Sequence, residues 1–213
     1  MSMDDDQLLC AYATDRSEAA FRELVRRHGA LVQGVARRQA GVDAHLADDV
    51  TQRVFIALAR KASGLRDQAV LVGWLYTAAR GEAARAARTE ARRRNWEEKA
   101  ATMNPAENEA PTEDSWEQLQ PVLDAAMEQL GDADRKAVLL RFFSGRSFAE
   151  VGRVFQISED TARKRVERAV EKLREVLSRR GIVSSAAALG TALGAHAAPV
   201  VAEETLAAFA TGA

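Results

Sequence analysis

Within "SEDTARKRVERAVEKL", residues 158–173, Thr161, Lys164, Arg165, Arg168 and Lys172 recur at spacings that bring them together only on a helix. At about 100° per residue they gather in an arc of roughly 100°, opposite Ala162, Val166, Ala169, Val170, Leu173 and Leu177. Guanidinium and ammonium groups on one outward face can donate to phosphates and guanine edges, and a threonine can meet a phosphate or a thymine methyl. The other reading of the same arc is a solvated charged face, with Glu167, Glu171 and Glu175 at helical spacing to neutralise some of the cations.

The preceding residues favour the first reading. Ser147 stands three positions before Glu150, the spacing of a capping box, and Val151, Val154 and Phe155 supply an inward face. Ser158 is a second N-cap only a few residues later. Two helices joined so tightly must cross steeply, which leaves the second projecting from its domain, as a helix that enters the major groove of duplex DNA must.

Other chemistry has little to stand on. His28, His45 and His196 are scattered without a ligand partner at metal-binding spacing, so no metal is expected. Asp4, Asp5, Asp6, Asp48 and Asp49 read as acids placed near helix starts, where the dipole favours them. No phosphate-cradling glycine loop, nucleophile elbow or dinucleotide fingerprint occurs, so neither a cofactor nor an enzyme is expected. The single Cys10 excludes an internal disulfide framework, and the acidic start "MSMDDDQLL" lacks the features of a secretory signal. A cytoplasmic protein is the expectation.

The elements that must position the cationic face read as helices throughout. The 213 residues are 47% hydrophobic and rich in Ala, Leu, Glu and Arg, which lose little side-chain entropy in a helix, so an all-α chain is expected. "EAAFRELVRRHGALVQGVARRQ", "HLADDVTQRVFIALARKA" and the increasingly basic "LVGWLYTAARGEAARAARTEARRR" would form a helical bundle over residues 4–99. The stretch 100–115 has two prolines, several acids and no apolar period, which is linker composition. A second small helical domain spans 116–180. The net charge of −1 hides an uneven distribution: between Ala100 and Asp134 there is no Lys or Arg, while both flanks are basic. The Ala- and Gly-rich tail, 181–213, is open to three readings: a membrane contact or span, which His196 and Pro199 oppose, a docking helix, or a loosely ordered end.

"LGDADRKAVLLRFFSGRSFAEVGRVFQISEDTARKRVERAVEKLR" resembles the fourth conserved region of bacterial RNA polymerase sigma factors of the extracytoplasmic-function (ECF) group in the sigma-70 family. On its own this stretch is also similar to the output domains of LuxR-type response regulators, which bind duplex DNA without core polymerase. "DDDQLLCAYATDRSEAAFRELVRRH", "ADDVTQRVFIAL" and "GWLYTAAR" resemble the second sigma region in order and spacing. Together the two cover most of residues 4–180, and the combination favours a sigma factor over a simple helix-turn-helix regulator.

The resemblance implies that the chain joins core RNA polymerase, directs it to promoters and helps open the DNA, without catalysis of its own, and that it has an anti-sigma partner. It assigns the upstream promoter element to Thr161, Lys164, Arg165, Arg168 and Lys172. Downstream recognition and melting fall to Trp74, Tyr76, Arg80, Arg85 and Arg88, as cations for phosphates and rings for unstacked bases. Docking on the clamp helices of the polymerase β′ subunit falls to Asp48, Asp49, Gln52, Arg53, Phe55 and Ile56. If Leu46, Val50, Val54 and Leu58 face the core, Asp48, Gln52, Phe55, Ile56 and Ala59 turn away from it, and an apolar pair on a polar face suits a partner helix. Packing of Phe55 under a neighbouring segment and of Trp74 in the core are the alternatives. Three positions depart from the family pattern: Gly81 and Arg85, where an Asn and an Asp are common, and Gln156, at a turn position often filled by Gly.

Overall fold

The computed structural model describes residues 3–39, 42–65, 68–100, 115–196, 201 and 203–211, excepting the side chains of 68–70, 94–100, 115–118, 121, 196, 203, 204 and 211. The described residues are helical with no strand: α1 (Asp5–Asp15), α2 (Glu18–Arg37), α3 (Ala44–Lys61), α4 (Gln68–Ala100), α5 (Ser115–Met127), α6 (Asp132–Val138), α7 (Phe148–Phe155), α8 (Glu159–Ser178), α9 (Ala186–His196) and α10 (Glu203–Thr211). The linker expected over 100–115 lies outside the described residues except at its two ends, which belong to α4 and α5.

Helices α1 to α4 pack as a bundle. Each of the first three starts on a polar cap: Asp4 accepts from the Gln7 amide in a reciprocal capping box, Ser17 from Ala20 and Asp43 from Leu46. Gly29 does not interrupt α2, whose Phe21, Leu24, Val25, Leu31, Val32 and Val35 are all buried. Asp5, one of the acids expected merely to complement a helix dipole, is wholly buried. Arg27 donates to it at 2.8 Å, and His28 Nε2 lies 2.8 Å from its other oxygen. A buried carboxylate persists only with such donors, so Asp5 ties α1 to α2.

The C-terminal helices form a second unit in which α8 packs on α5, α6 and α7. Between α6 and α7 the chain passes through one π-helical turn, Leu139–Phe143, and Leu139, Leu140 and Phe143 are buried there. The two units pack against each other through α4, which touches α6, the π turn and α7. Arg146, just before α7, lies 3.7 Å from Asp5 of the bundle.

The described helices of the tail take the docking form. Leu189 and Leu193 of α9 are buried, and the helix packs on α8 and the π turn. Helix α10 packs on α2 and α3, with Phe209 buried and Leu206 seated so closely over Gly29 that its side chain leaves no room for a Cβ there. No helix among the described residues is long and apolar enough to cross a membrane.

Candidate nucleic-acid interface

The helix pair forms as its sequence dictates. Ser147 Oγ accepts from the Glu150 amide at 3.2 Å while Glu150 accepts from the Ser147 amide at 2.8 Å, and that second bond holds the Glu150 carboxyl below its ordinary range. Ser158 caps α8 through the Thr161 amide. Between them Gln156 adopts a left-handed conformation, φ 55° and ψ 41°, so the chain makes the turn with a side chain where glycine is at ease. The α7 side of this turn is equally tight: a Cβ on Gly152 would come within 2.8 Å of the Ile157 carbonyl oxygen.

Helix α8 buries Ala162, Val166, Ala169, Val170, Leu173 and Leu177. Thr161, Lys164, Arg168 and Lys172 are exposed on the other side, and Arg165 is half-buried, its guanidinium 5.0 Å from the centre of the Phe155 ring. The cations are partly neutralised, but mostly not by the residues the helical spacing pointed to. Lys164 pairs with Asp160 at 2.8 Å and Lys172 with Asp134 of α6 at 2.5 Å, while Glu171 pairs with Arg174. These exposed pairs are weak and exchange readily for phosphate. Arg168 donates to the Lys164 carbonyl oxygen, and no carboxylate pairs with it among the described residues.

The expected downstream residues divide into two groups. Arg85 and Arg88 are exposed on α4, Arg85 beside Glu82 and Arg88 against its own Ala84 carbonyl. Trp74 is partly buried against the core, with Lys61 5.9 Å from its ring centre. Tyr76 is only 2% exposed, and its hydroxyl donates to Asp124 of α5 at 3.0 Å; Arg80 pairs with Glu128, just after that helix. Burial, helped by the Asp124 carboxylate, pushes the Tyr76 phenol far up. Burial alone would lower the Arg80 guanidinium, but its bond to Glu128 prevails and raises it, and Glu128 is lowered in turn.

Sequence reasoning did not find Arg38. It follows α2, is 6% exposed, and extends Nε and Nη2 to the two carboxylate oxygens of Asp124, each at 3.3 Å. Its guanidinium also lies 5.1 Å from the Phe143 ring centre. The run of acids without a base before Arg135 was the available signal, because such a segment needs cations somewhere in the fold.

On α3 the expected outward face is only partly outward. Asp49 and Arg53 are exposed and 3.9 Å apart, Gln52 and Ile56 are half-buried, and Asp48 accepts from Gln33 at 2.6 Å. Phe55 corrects the expectation: it is wholly buried, edge-on to Phe21 with ring centres 6.5 Å apart. The buried stripe consists of Ala47, Val50, Thr51, Val54, Phe55, Leu58 and Ala59, and Leu46 is only half-buried. Covering α3 from several sides, with α2, α4 and α10 all packed on it, widens and rotates the stripe. No three His, Cys, Asp or Glu side chains among the described residues gather as a metal would require.

A family model described as Sigma-70 region 2 matches residues 24–93, and one described as Sigma-70, region 4 matches 126–175. The first contains the named residues of α3 and α4, the second those of α8; the tail lies beyond both. Over 163 residues the chain is 34% identical to RNA polymerase sigma factor CarQ of Myxococcus xanthus, covering 76% of this chain and 92% of that protein. It is 30% identical over 164 residues to ECF RNA polymerase sigma factor SigE of Mycolicibacterium smegmatis, covering 75% of this chain and 62% of that one.

Proposed function

The chain belongs to the ECF group of the sigma-70 family, and from that membership we propose how its surfaces divide the work of a sigma factor that directs RNA polymerase to promoters. The observation that carries the proposal is the pairing of a capped helix-turn-helix, whose second helix turns its cations outward, with a preceding bundle that matches region 2.

In this reading residues 116–180 recognise the upstream promoter element. Helix α8 enters the major groove, Arg165 and Arg168 reach base edges or phosphates, and Thr161, Lys164 and Lys172 fix the helix on the backbone. Release of Lys164 from Asp160 and of Lys172 from Asp134 accompanies binding, at little cost because both lysines are exposed.

Residues 4–99 grip core polymerase and the downstream element. Asp48, Asp49, Gln52, Arg53 and Ile56 form the docking face for the clamp helices of β′, with Phe55 acting beneath them as packing. Arg85 and Arg88 hold the backbone of the opened strand, and Tyr76 and Arg80 join them once α5 has moved away. Trp74 acts chiefly by packing, leaving part of its ring for an unstacked base. Residues 100–115 are the tether between the two units. An anti-sigma protein is the further partner the family implies, and a partner in transcription implies a cytoplasmic location. In the tail, Leu189, Leu193 and Phe209 are buried on protein, so contact with a membrane is not part of this reading.

The test is retention of core polymerase on the tagged chain, followed by transcription from promoter libraries. Promoter-dependent initiation is expected; no retention, or retention with initiation only from DNA ends, overturns the reading.

A further inference from the structure

The junction between α4 and α5 is built unevenly. From the bundle come donors: Arg38 with two nitrogens, the Tyr76 hydroxyl and Arg80. From α5 and the turn that follows it come the acceptor-only carboxylates of Asp124 and Glu128. A junction made only to hold two units together gains little from such pairs: desolvation offsets the attraction of the buried Arg38–Asp124 pair, and the more exposed Arg80–Glu128 pair is weak. A guanidinium fork beside a hydroxyl and a second guanidinium is instead the donor set that a phosphodiester requires, and a carboxylate satisfies the same fork. Beyond Arg80 the exposed Arg85, Arg88 and Arg92 continue along α4, so the covered donors lie at one end of a cationic surface. Asp124 and Glu128 in turn lie within a stretch without a base, from Ala100 to Asp134.

We propose that Arg38, Tyr76 and Arg80 form one binding cluster for the backbone of single-stranded DNA, and that Asp124 and Glu128 occupy it as an internal mimic that keeps the unbound chain closed. This deepens the proposed function, on which the identity of the ligand rests. Opening exchanges two carboxylates for phosphates, so strand and α5 compete for one site. Arg38 thereby becomes a DNA-binding residue, although it lies on no helix that the sequence pattern assigned to DNA. In the closed chain α8 remains exposed, so the competition bears on strand capture and leaves duplex recognition free.

The test uses the full chain, a fluorescein-labelled single-stranded DNA oligonucleotide and small-angle scattering. Asp124→Asn with Glu128→Gln is expected to enlarge the radius of gyration and to tighten oligonucleotide binding about tenfold by raising the competent fraction. Adding Arg38→Gln is expected to remove the gain while the chain stays expanded. A double variant that binds no more tightly, or a gain that survives Arg38→Gln, overturns the inference. Should the double variant melt below the assay temperature, Glu128→Gln alone, at a half-exposed site, carries the same test with a smaller gain. Core-polymerase retention by the wild-type chain is measured in parallel. Its failure overturns the sigma-factor reading, whereas the oligonucleotide arms speak only to the cluster.

Discussion

Helix α8 and the α3 and α4 pair of the bundle carry comparable mixtures of cations and apolar residues, yet the first displays its functional face and the second partly conceals it. Helix α8 touches α5, α6, α7 and α9, but its buried residues all fall on one stripe, so its 3.6-residue period decides which side chains face water. Helix α3 is packed by α2, α4 and α10, and α4 is further covered by the C-terminal unit. There a side chain's position on its own helix is overruled by what lies across from it, and Phe55, Tyr76 and Arg80 turn inward. A face read from sequence is dependable where a helix has one packed side.

The comparison is sharpened most by Phe55→Ala. If Phe55 is packing, its truncation leaves a cavity beside Phe21 and costs about 3–5 kcal/mol of stability. Chemical denaturation should register that loss, whereas Gln52→Ala with Ile56→Ala should leave the midpoint nearly unchanged and weaken core-polymerase retention. A stable Phe55→Ala chain that fails to bind polymerase would return Phe55 to the docking face.

On α8 the corresponding substitution is Arg168→Ala. It removes an exposed cation that no carboxylate pairs among the described residues. Stability should hardly change, duplex binding should fall by about 1–3 kcal/mol, and the salt dependence should become shallower by about one phosphate contact. Equal losses of stability and binding would show that α8 is not a one-sided helix.

These two positions also show what the sequence made legible. The helix-turn-helix was visible because its signals are local: Ser147 with Glu150, Ser158 with Thr161, and an apolar period whose residues form one buried stripe. The same holds for α2, where six apolar residues at helical spacing are all buried. The roles of Arg38 and Asp5 were not visible, because their partners lie 86 and 22 or more residues away and no period links them. The tail stayed open for a related reason. An Ala-rich helix has a weak apolar stripe, and its docking place is set by distant fits such as that of Leu206 at Gly29.

The junction between the units should respond to acid. Arg80 holds the Glu128 carboxyl below the ordinary glutamate range, with a smaller contribution from Arg135. A lowered carboxyl contributes stability that is present above its unfolded pKa, about 4.3, and is lost as pH falls through the folded value. The closed form should therefore loosen below about pH 4.3, seen as expansion in small-angle scattering, and Glu128→Gln should flatten that profile. Because Glu128 is 56% exposed, the effect should stay below about 1 kcal/mol. An acid response unchanged by Glu128→Gln would move its origin to other carboxylates.

The smallest effect contrasts the two regions at the level of a single backbone angle. Gln156, between α7 and α8, and Arg16, after α1, are the described residues other than glycine with positive φ, at 55° and 52°. Both end a helix in the left-handed conformation that costs an ordinary residue about 1 kcal/mol relative to glycine. Gln156 is exposed, and its side chain has no hydrogen-bond partner among the described residues, so Gln156→Gly should stabilise the chain by about 0.5–1 kcal/mol, less the entropy glycine adds to the unfolded state. Arg16→Gly relieves the same angle but loses a guanidinium 5.5 Å from the Tyr12 ring centre, an interaction of about 0.5–1 kcal/mol. Its net effect should be close to zero. Denaturation midpoints of the two variants decide the matter: a larger gain at Arg16 than at Gln156 would mean that the bundle, and not the reading unit, carries the more strained turn. Duplex affinity should be unchanged in both, since neither side chain belongs to the outward face of α8.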